Sequence, residues 1–185
     1  MSTARLTPTS YVVLGMVAMR GPSTSYDLKR AVQNSVGYFW PFPHAQLYSE
    51  PKRLVDLGLL EVESEEDGRR RQTYTVTPSG MAALREWLAE PTEEQLQVRD
   101  VAELKLFFGE FAEPVDIQRL AEEQVTQHRA RIAAYERIQA RYGDRSDVAE
   151  RMVPLRLGLA MEHAALKFWE DLRAERQQLE EARGA

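Results

Sequence analysis

The chain has 185 residues, 43% hydrophobic and 29% charged, the balance of a soluble globular protein with room for one large or two small domains. It contains no cysteine, which excludes a disulfide framework and a thiolate metal centre. The net charge of −5 argues against tight nonspecific coating of nucleic acid, yet it is unevenly spread: residues 1–88 hold 10 Lys+Arg against 9 Asp+Glu, a net of +1, and residues 89–185 hold 14 against 20, a net of −6.

Thr7-Pro8 reads as an N-cap with proline at the first helical position, and the helix it opens buries Val12, Val13, Met16 and Val17 before Gly21-Pro22 ends it. The longest apolar run, Tyr11 to Met19, is far short of the ~20 residues that span a bilayer. No charged-then-apolar leader precedes it, so a cytoplasmic protein with no membrane partner is expected. Thr24 with Asp27 three residues on forms a capping box that starts a second helix running to Gln33. The loop Gly37-Tyr38-Phe39-Trp40-Pro41-Phe42-Pro43 is strongly aromatic. Its rings are expected to pack the second helix against the third or against the C-terminal half; a ligand or partner surface is the alternative.

The third helix carries Gln46-Leu47-Tyr48 through Lys52-Arg53-Leu54. At 100° per residue Leu47, Pro51 and Leu54 share one face and point into the core. The opposite face holds Ala45, Ser49, Lys52 and Asp56, with Gln46, Tyr48 and Arg53 on its shoulders. Such a set suits a helix laid in the DNA major groove: Gln pairs with adenine, Ala or Ser meets a thymine methyl or a base edge, and Tyr, Lys and Arg hold phosphates. An ordinary solvated face is the competing reading. Pro51 forfeits one backbone bond, which predicts a bend near Leu47 or an irregular first turn.

Gly58 is placed to cap this helix, and two alternating strands follow, Leu60 and Val62 on the way out and Tyr74 and Val76 on the return. Asp67-Gly68 between them signals a hairpin, with Arg69, Arg70 and Arg71 just after the turn, where they can reach a phosphate backbone. Five acids, Glu61, Glu63, Glu65, Glu66 and Asp67, sit on the outgoing arm and turn, so charge pairing across the hairpin competes with that role. Thr77-Pro78 starts a fourth helix that runs through Trp87.

These residues resemble the PadR family of transcriptional regulators. The resemblance is carried by Tyr26-Asp27-Leu28, Leu47-Tyr48, Lys52-Arg53-Leu54, Leu57-Gly58-Leu59-Leu60 and Tyr74-Thr75-Val76-Thr77-Pro78-Ser79-Gly80, and further on by Arg99-Asp100 and Leu104-Lys105-Leu106-Phe107-Phe108. It implies a mainly α fold with a small β-hairpin: a winged helix-turn-helix domain over 1–90 and a helical, coiled-coil dimerisation and effector domain over 91–185. It further implies a dimeric regulator, usually a repressor, that binds a two-fold operator in double-stranded DNA and is released by a small molecule. Many relatives have glycine before the second-helix tyrosine, where this chain has Ser25. The DNA-contacting set expected on this basis is Ser25, Tyr26, Lys29, His44, Ala45, Gln46, Tyr48, Ser49, Lys52, Arg53, Arg69, Arg70 and Arg71.

In the second half Pro91-Thr92-Glu93-Glu94 is a polar joint, and a short helix from about Val98 to Phe108 follows. Glu113-Pro114 opens a long helix whose seam runs through Ile117, Ala121, Val125, His128, Ile132, Tyr135, Ile138 or Gln139, and Tyr142, with Gly143-Asp144 at its end. The last helix, about Asp147 to Glu181, carries two apolar stripes. One passes through Met152, Leu155, Leu159, His163, Leu166 and Trp169; the other, about 200° away, through Leu157, Met161, Ala164, Phe168, Leu172 and Leu179. One neighbouring helix cannot cover both, so a homodimer is expected, with Leu155, Leu159, Met161, Leu166, Phe168, Trp169 and Leu172 at its interface. Trp40, Met161, Phe168 and Trp169 are candidates to line a pocket for a small hydrophobic or aromatic effector, with dimer packing the favoured use.

No enzyme and no cofactor are expected. His44, His128 and His163 lie in different elements without ligand spacing, and no Gly-rich phosphate loop or Gly-x-Ser-x-Gly elbow is present. The alternative to a DNA-reading regulator is a protein-interaction adaptor built on a winged helix that no longer reads DNA.

Overall fold

The structure is a computed structural model that describes residues 5–40, 45–65 and 71–184, the side chains of 180, 183 and 184 excepted. It is mostly helical with one small antiparallel sheet, and its contacts fall into two units, Met1–Glu94 and Gln95–Ala185.

The first unit opens with α1 (Pro8–Arg20), where the Thr7 N–H donates to Ser10 Oγ at 2.9 Å. The helix stops at Gly21, whose φ of 78° suits a residue without a Cβ. In α2 (Ser25–Gln33) the capping box closes as the sequence predicts: Asp27 N–H donates to Thr24 Oγ1, and Thr24 N–H donates to Asp27 Oδ2. Next, α3 (Gln46–Asp56) carries Pro51 within it, and Tyr48 N–H donates to Ala45 O at 3.2 Å in its first turn. It ends in a Schellman turn, with Gly58 at φ 70°, Gly58 N–H on Val55 O and Leu59 N–H on Leu54 O, both at 2.9 Å. The chain is thereby aimed into β1 (Leu60–Ser64), which pairs antiparallel with β2 (Gln72–Val76) in the register Leu60–Val76, Val62–Tyr74 and Ser64–Gln72. Ser23 adds a third edge by exchanging both backbone bonds with Tyr74. Finally α4 (Pro78–Ala89) is capped by Thr77.

One core joins these elements: Val13, Leu14 and Val17 from α1, Leu28 and Val32 from α2, Leu47 and Leu54 from α3, with Leu60 and Tyr74 from the sheet. Each buried Leu or Val side chain contributes about 1.5–3 kcal/mol by leaving water. Val12 is only half-buried, and Tyr11 beside it stacks on Trp87 of α4, ring centroids 4.4 Å apart. The aromatic loop departs from expectation, because Tyr38, Phe39 and Trp40 are exposed on this unit; Pro41, Phe42, Pro43 and His44 lie outside the described residues.

In the second unit α5 (Val101–Phe107) starts three residues later than Val98, because Asp100 Oδ1 accepts the Ala102 N–H and so sets the cap. The long α6 (Pro114–Tyr142) buries Ile117, Ala121, Val125, His128, Ile132 and Tyr135, the seam read from spacing. It packs antiparallel on α7 (Ala149–Gly184): partners fall in number along α7 as they rise along α6, from Val125 and Trp169 to His128 and Glu162, with Tyr135 over Gly158.

The two stripes of α7 part company here. Trp169 is 4% exposed, in a core with Ala102, Leu120, Ala121 and Val125, with Leu166 and Leu172 packed against it. Met152, Leu155 and Leu159 are half-buried along the same side. Leu166, Trp169 and Leu172 thus take part in packing within one chain. His163 is exposed, and Glu162 takes the inward place because His128 Nδ1 meets its Oε2 at 2.6 Å. Apart from Leu172, the second stripe stays open: Phe168, adjacent to Trp169, is 52% exposed and Leu157 is 63% exposed.

Gly80 sits where a Cβ would run into the Leu59 carbonyl oxygen. Gly80→Ala must push α4 off the β1 entry and is expected to destabilise the first unit by about 3 kcal/mol, read as a lower urea midpoint with an unchanged slope.

Candidate nucleic-acid interface

Burial of Leu47, Pro51 and Leu54 turns the other side of α3 outward, and Ala45, Gln46, Tyr48, Ser49 and Lys52 are all exposed. Exposure at the start of a helix suits base contact, since reading helices touch base edges with their N-terminal residues. On α2, Tyr26 is exposed, while Ser25 and Lys29 are half-buried. His44, Arg69 and Arg70 lie outside the described residues.

Three of the expected contacts, Arg53, Arg71 and Gln46, are already engaged. The helical wheel puts Arg53 on a shoulder of α3 from which it could hold a phosphate, but its guanidinium turns inward. Its Nη2 donates to Glu50 Oε1 at 2.6 Å and to Ser10 Oγ at 2.8 Å, and its Nε donates to Glu50 Oε2 at 3.0 Å. Ser10 is fully buried and donates to Glu50 Oε1 at 2.7 Å. A bidentate arginine–carboxylate pair closed by a buried hydroxyl satisfies all three groups, which is why Arg53 points inward. Burial pushes the Glu50 carboxyl up, but the hydrogen bonds from Arg53 and Ser10 and the Arg53 charge outweigh it and hold the carboxyl below its ordinary value.

Arg71 is shared. At the turn end of the hairpin, just before β2, its Nη2 lies 3.4 Å from Asp27 Oδ2, with both groups solvent-exposed, so the tie is weak and leaves the cation able to exchange partners. Hydrogen bonds from the Thr24 side chain and then its backbone lower the Asp27 pKa, with Arg71 a smaller cause. One turn before Glu50, Gln46 Oε1 accepts from the Thr9 hydroxyl at 2.9 Å. The sequence marks Thr9 and Ser10 only as part of α1. The available signal is a serine on an otherwise apolar face, three residues after a helix cap.

Across the hairpin Glu61 faces Thr75 and Glu63 faces Thr73, so these described rungs do not pair acid with base. Of the four aromatic and thioether side chains expected around an effector, Trp169 is core, and Trp40, Met161 and Phe168 are exposed. The second unit has an open groove of about 610 Å³ between α5 and α6, whose lining includes Val101, Leu104, Phe108 and Ile117 with the charged Lys105, Asp116, Arg119 and Glu123. Among the described residues no group of three His, Cys, Asp or Glu is placed to hold a metal, and no helix is long and apolar enough to cross a membrane.

Residues 13–86 match the Transcriptional regulator PadR-like family, and residues 98–180 match the Virulence activator alpha C-term family. The Negative transcriptional regulator PadR of Bacillus subtilis (strain 168) is 27% identical over 136 residues, covering 70% of this chain and 74% of the relative. The fold is that of Bacillus subtilis PadR crystallised with operator DNA, at TM-score 0.81 and 24% identity over 90% of this chain and 98% of that one. It is also that of Bacillus subtilis PadR with p-coumaric acid, at TM-score 0.76 and 22% identity over 94% of this chain and 99% of that one.

Glu50→Ala strands Arg53 and Ser10 and is expected to cost about 1–3 kcal/mol at neutral pH. A carboxyl held below its ordinary value stabilises the fold above the unfolded pKa, near 4.5, and loses that contribution as pH falls through the folded value. Urea titrations should therefore separate wild type and Glu50→Ala at pH 7, with the gap narrowing only as the pH falls below the ordinary carboxyl value of 4.5.

Proposed function

We propose that this chain, which belongs to the PadR-like family of transcriptional regulators, is a homodimeric repressor that binds a two-fold operator in double-stranded DNA. The observation that carries the reading is the outward set Gln46, Tyr48, Ser49 and Lys52 at the start of a helix locked to the core on its other side. Tyr26 and Lys29 on α2, with Arg69, Arg70 and Arg71 on the hairpin, supply the flanking backbone contacts. The first unit is nearly neutral overall, so these few cations carry the phosphate attraction, and affinity falls with salt in proportion to the number of phosphates they neutralise.

The second copy docks on the open side of α7. Leu157, Met161, Phe168 and Leu179 form a long exposed apolar stripe, and pairing it with itself about a two-fold axis removes it from water. A small hydrophobic or aromatic effector releasing the DNA is part of this reading, supported by the solved neighbour that holds p-coumaric acid. The adaptor reading draws on one observation, the acids Glu61 and Glu63 exposed on the outgoing arm without a facing base, which would repel phosphate.

Fluorescence anisotropy with duplex DNA from upstream of the chain's own gene tests the regulator reading. Wild type is expected to bind at low salt, and Arg69, Arg70 and Arg71 all changed to Ala should weaken every duplex about equally. The slope of log affinity against log salt should flatten by roughly 0.9 for each phosphate that the variant no longer neutralises. Failure of the wild type to bind any such duplex at low salt favours the adaptor. Met161→Glu with Phe168→Glu should run in sedimentation at the mass of one folded chain, where the wild type runs at two.

A further inference from the structure

The hydrogen bond between Thr9 and Gln46 bears on which base the reading helix prefers. Gln46 is the first residue of α3 and exposed, so its amide is placed to enter the groove first. Glutamine ordinarily recognises adenine with both ends of that amide: the oxygen accepts from N6–H while the nitrogen donates to N7. Here Oε1 already accepts from Thr9 Oγ1 at 2.9 Å. Thr9 is itself a fixed point, because its neighbour Ser10 is buried and tied to Glu50 and Arg53 one turn further along α3. Two consecutive α1 residues thus grip two α3 residues four apart, and the second grip holds the first in place. The Thr9 bond tethers Oε1 toward α1, so although one lone pair of that oxygen stays free, the end of the amide turned outward is the Nε2 group with its two donors.

The major-groove edge that suits such a group is guanine, which offers N7 and O6, both acceptors; adenine offers one acceptor beside a donor that would face Nε2 donor to donor. We propose that Thr9 acts as a positioning residue that turns Gln46 into a donor-only reader, so that this chain selects guanine over adenine at one base pair of each half-site. The inference rests on the DNA-binding reading above and deepens it, because it names the base and the residue outside the reading helix that chooses it.

The test is selection of bound duplexes from a randomised pool with the full-length chain, followed by anisotropy on the selected site with that pair changed. Wild type should favour guanine over adenine there by roughly tenfold. Thr9→Val removes the hydroxyl, keeps the branched side chain and frees the Gln46 oxygen. It should lose most of that preference or move it to adenine, with affinity for unrelated duplex unchanged. Thr9→Ser should restore guanine, which a merely structural role for the methyl group would not achieve. Gln46→Ala should level the four bases at that pair alone. The inference is overturned if Thr9→Val keeps the wild-type preference, if wild type selects adenine or only thymine at the Gln46-dependent pair, or if Gln46→Ala changes no preference. A wild type that binds no DNA overturns the regulator reading itself and this inference with it, an outcome distinct from binding with unaltered base choice.

Discussion

The seat of α3 on α1 is the contact on which the remaining structure turns. A helix has one rotation about its axis to choose, and burying Leu47, Pro51 and Leu54 chooses it: Ser49 and Lys52 then have nowhere to point but outward. Apolar burial alone tolerates small slips along the axis. The triangle of Ser10, Glu50 and Arg53 does not, because a displaced α3 would leave a buried hydroxyl and a largely covered carboxylate unpaired. The Schellman turn at Gly58 passes this placement to β1, and Thr77 returns it, with its N–H on the Leu59 carbonyl and its hydroxyl on the Gly58 carbonyl. Helix, hairpin and following helix are therefore positioned as one object. That rigidity is what a side chain needs if it is to discriminate bases by a single hydrogen bond.

Much of the first unit is legible in the sequence because its boundaries are set by local chemistry. Thr7-Pro8, Thr24 with Asp27, Gly58 and Thr77-Pro78 each satisfy orphan backbone groups with a residue a few positions away, and all four act at the helix ends that they mark. What escapes a sequence reading is non-local. Arg53 lies on a shoulder of α3 from which it could turn either way, and the decision belongs to Ser10, 43 residues earlier. The same is true of Gln46 and Thr9, 37 residues apart. Apolar patterning sees neither, since polar partners chosen across elements leave no period. The aromatic loop misleads for a related reason: size and hydrophobicity say that a ring gains by burial, without saying that this unit has room for it.

In the second half the seam of α6 is readable from steps of three and four, and so is the double-faced character of α7. The side that turns inward is harder to assign. His163 and Glu162 are neighbours on the helix, and hydrophobicity favours the histidine for the interior; the structure prefers the glutamate because His128 is already buried and accepts it as a partner. Size alone argues for Trp169 at the dimer surface, yet it fills the gap between α5, α6 and α7 within one chain. The stripe that remains uncovered, Leu157, Met161 and Phe168, is the one the proposed dimer would remove from water. The acidity of this half comes from its 20 Asp+Glu outweighing 14 Lys+Arg, not from a shortage of cations.

The central claim is that two copies hold two α3 helices over a symmetric stretch of duplex. Hydroxyl-radical footprinting of the operator tests it most directly. The account predicts two protected segments on each strand, related by a two-fold axis, with half-site centres one helical turn, ~34 Å, apart. A single unsymmetric protected segment at saturating protein would contradict it.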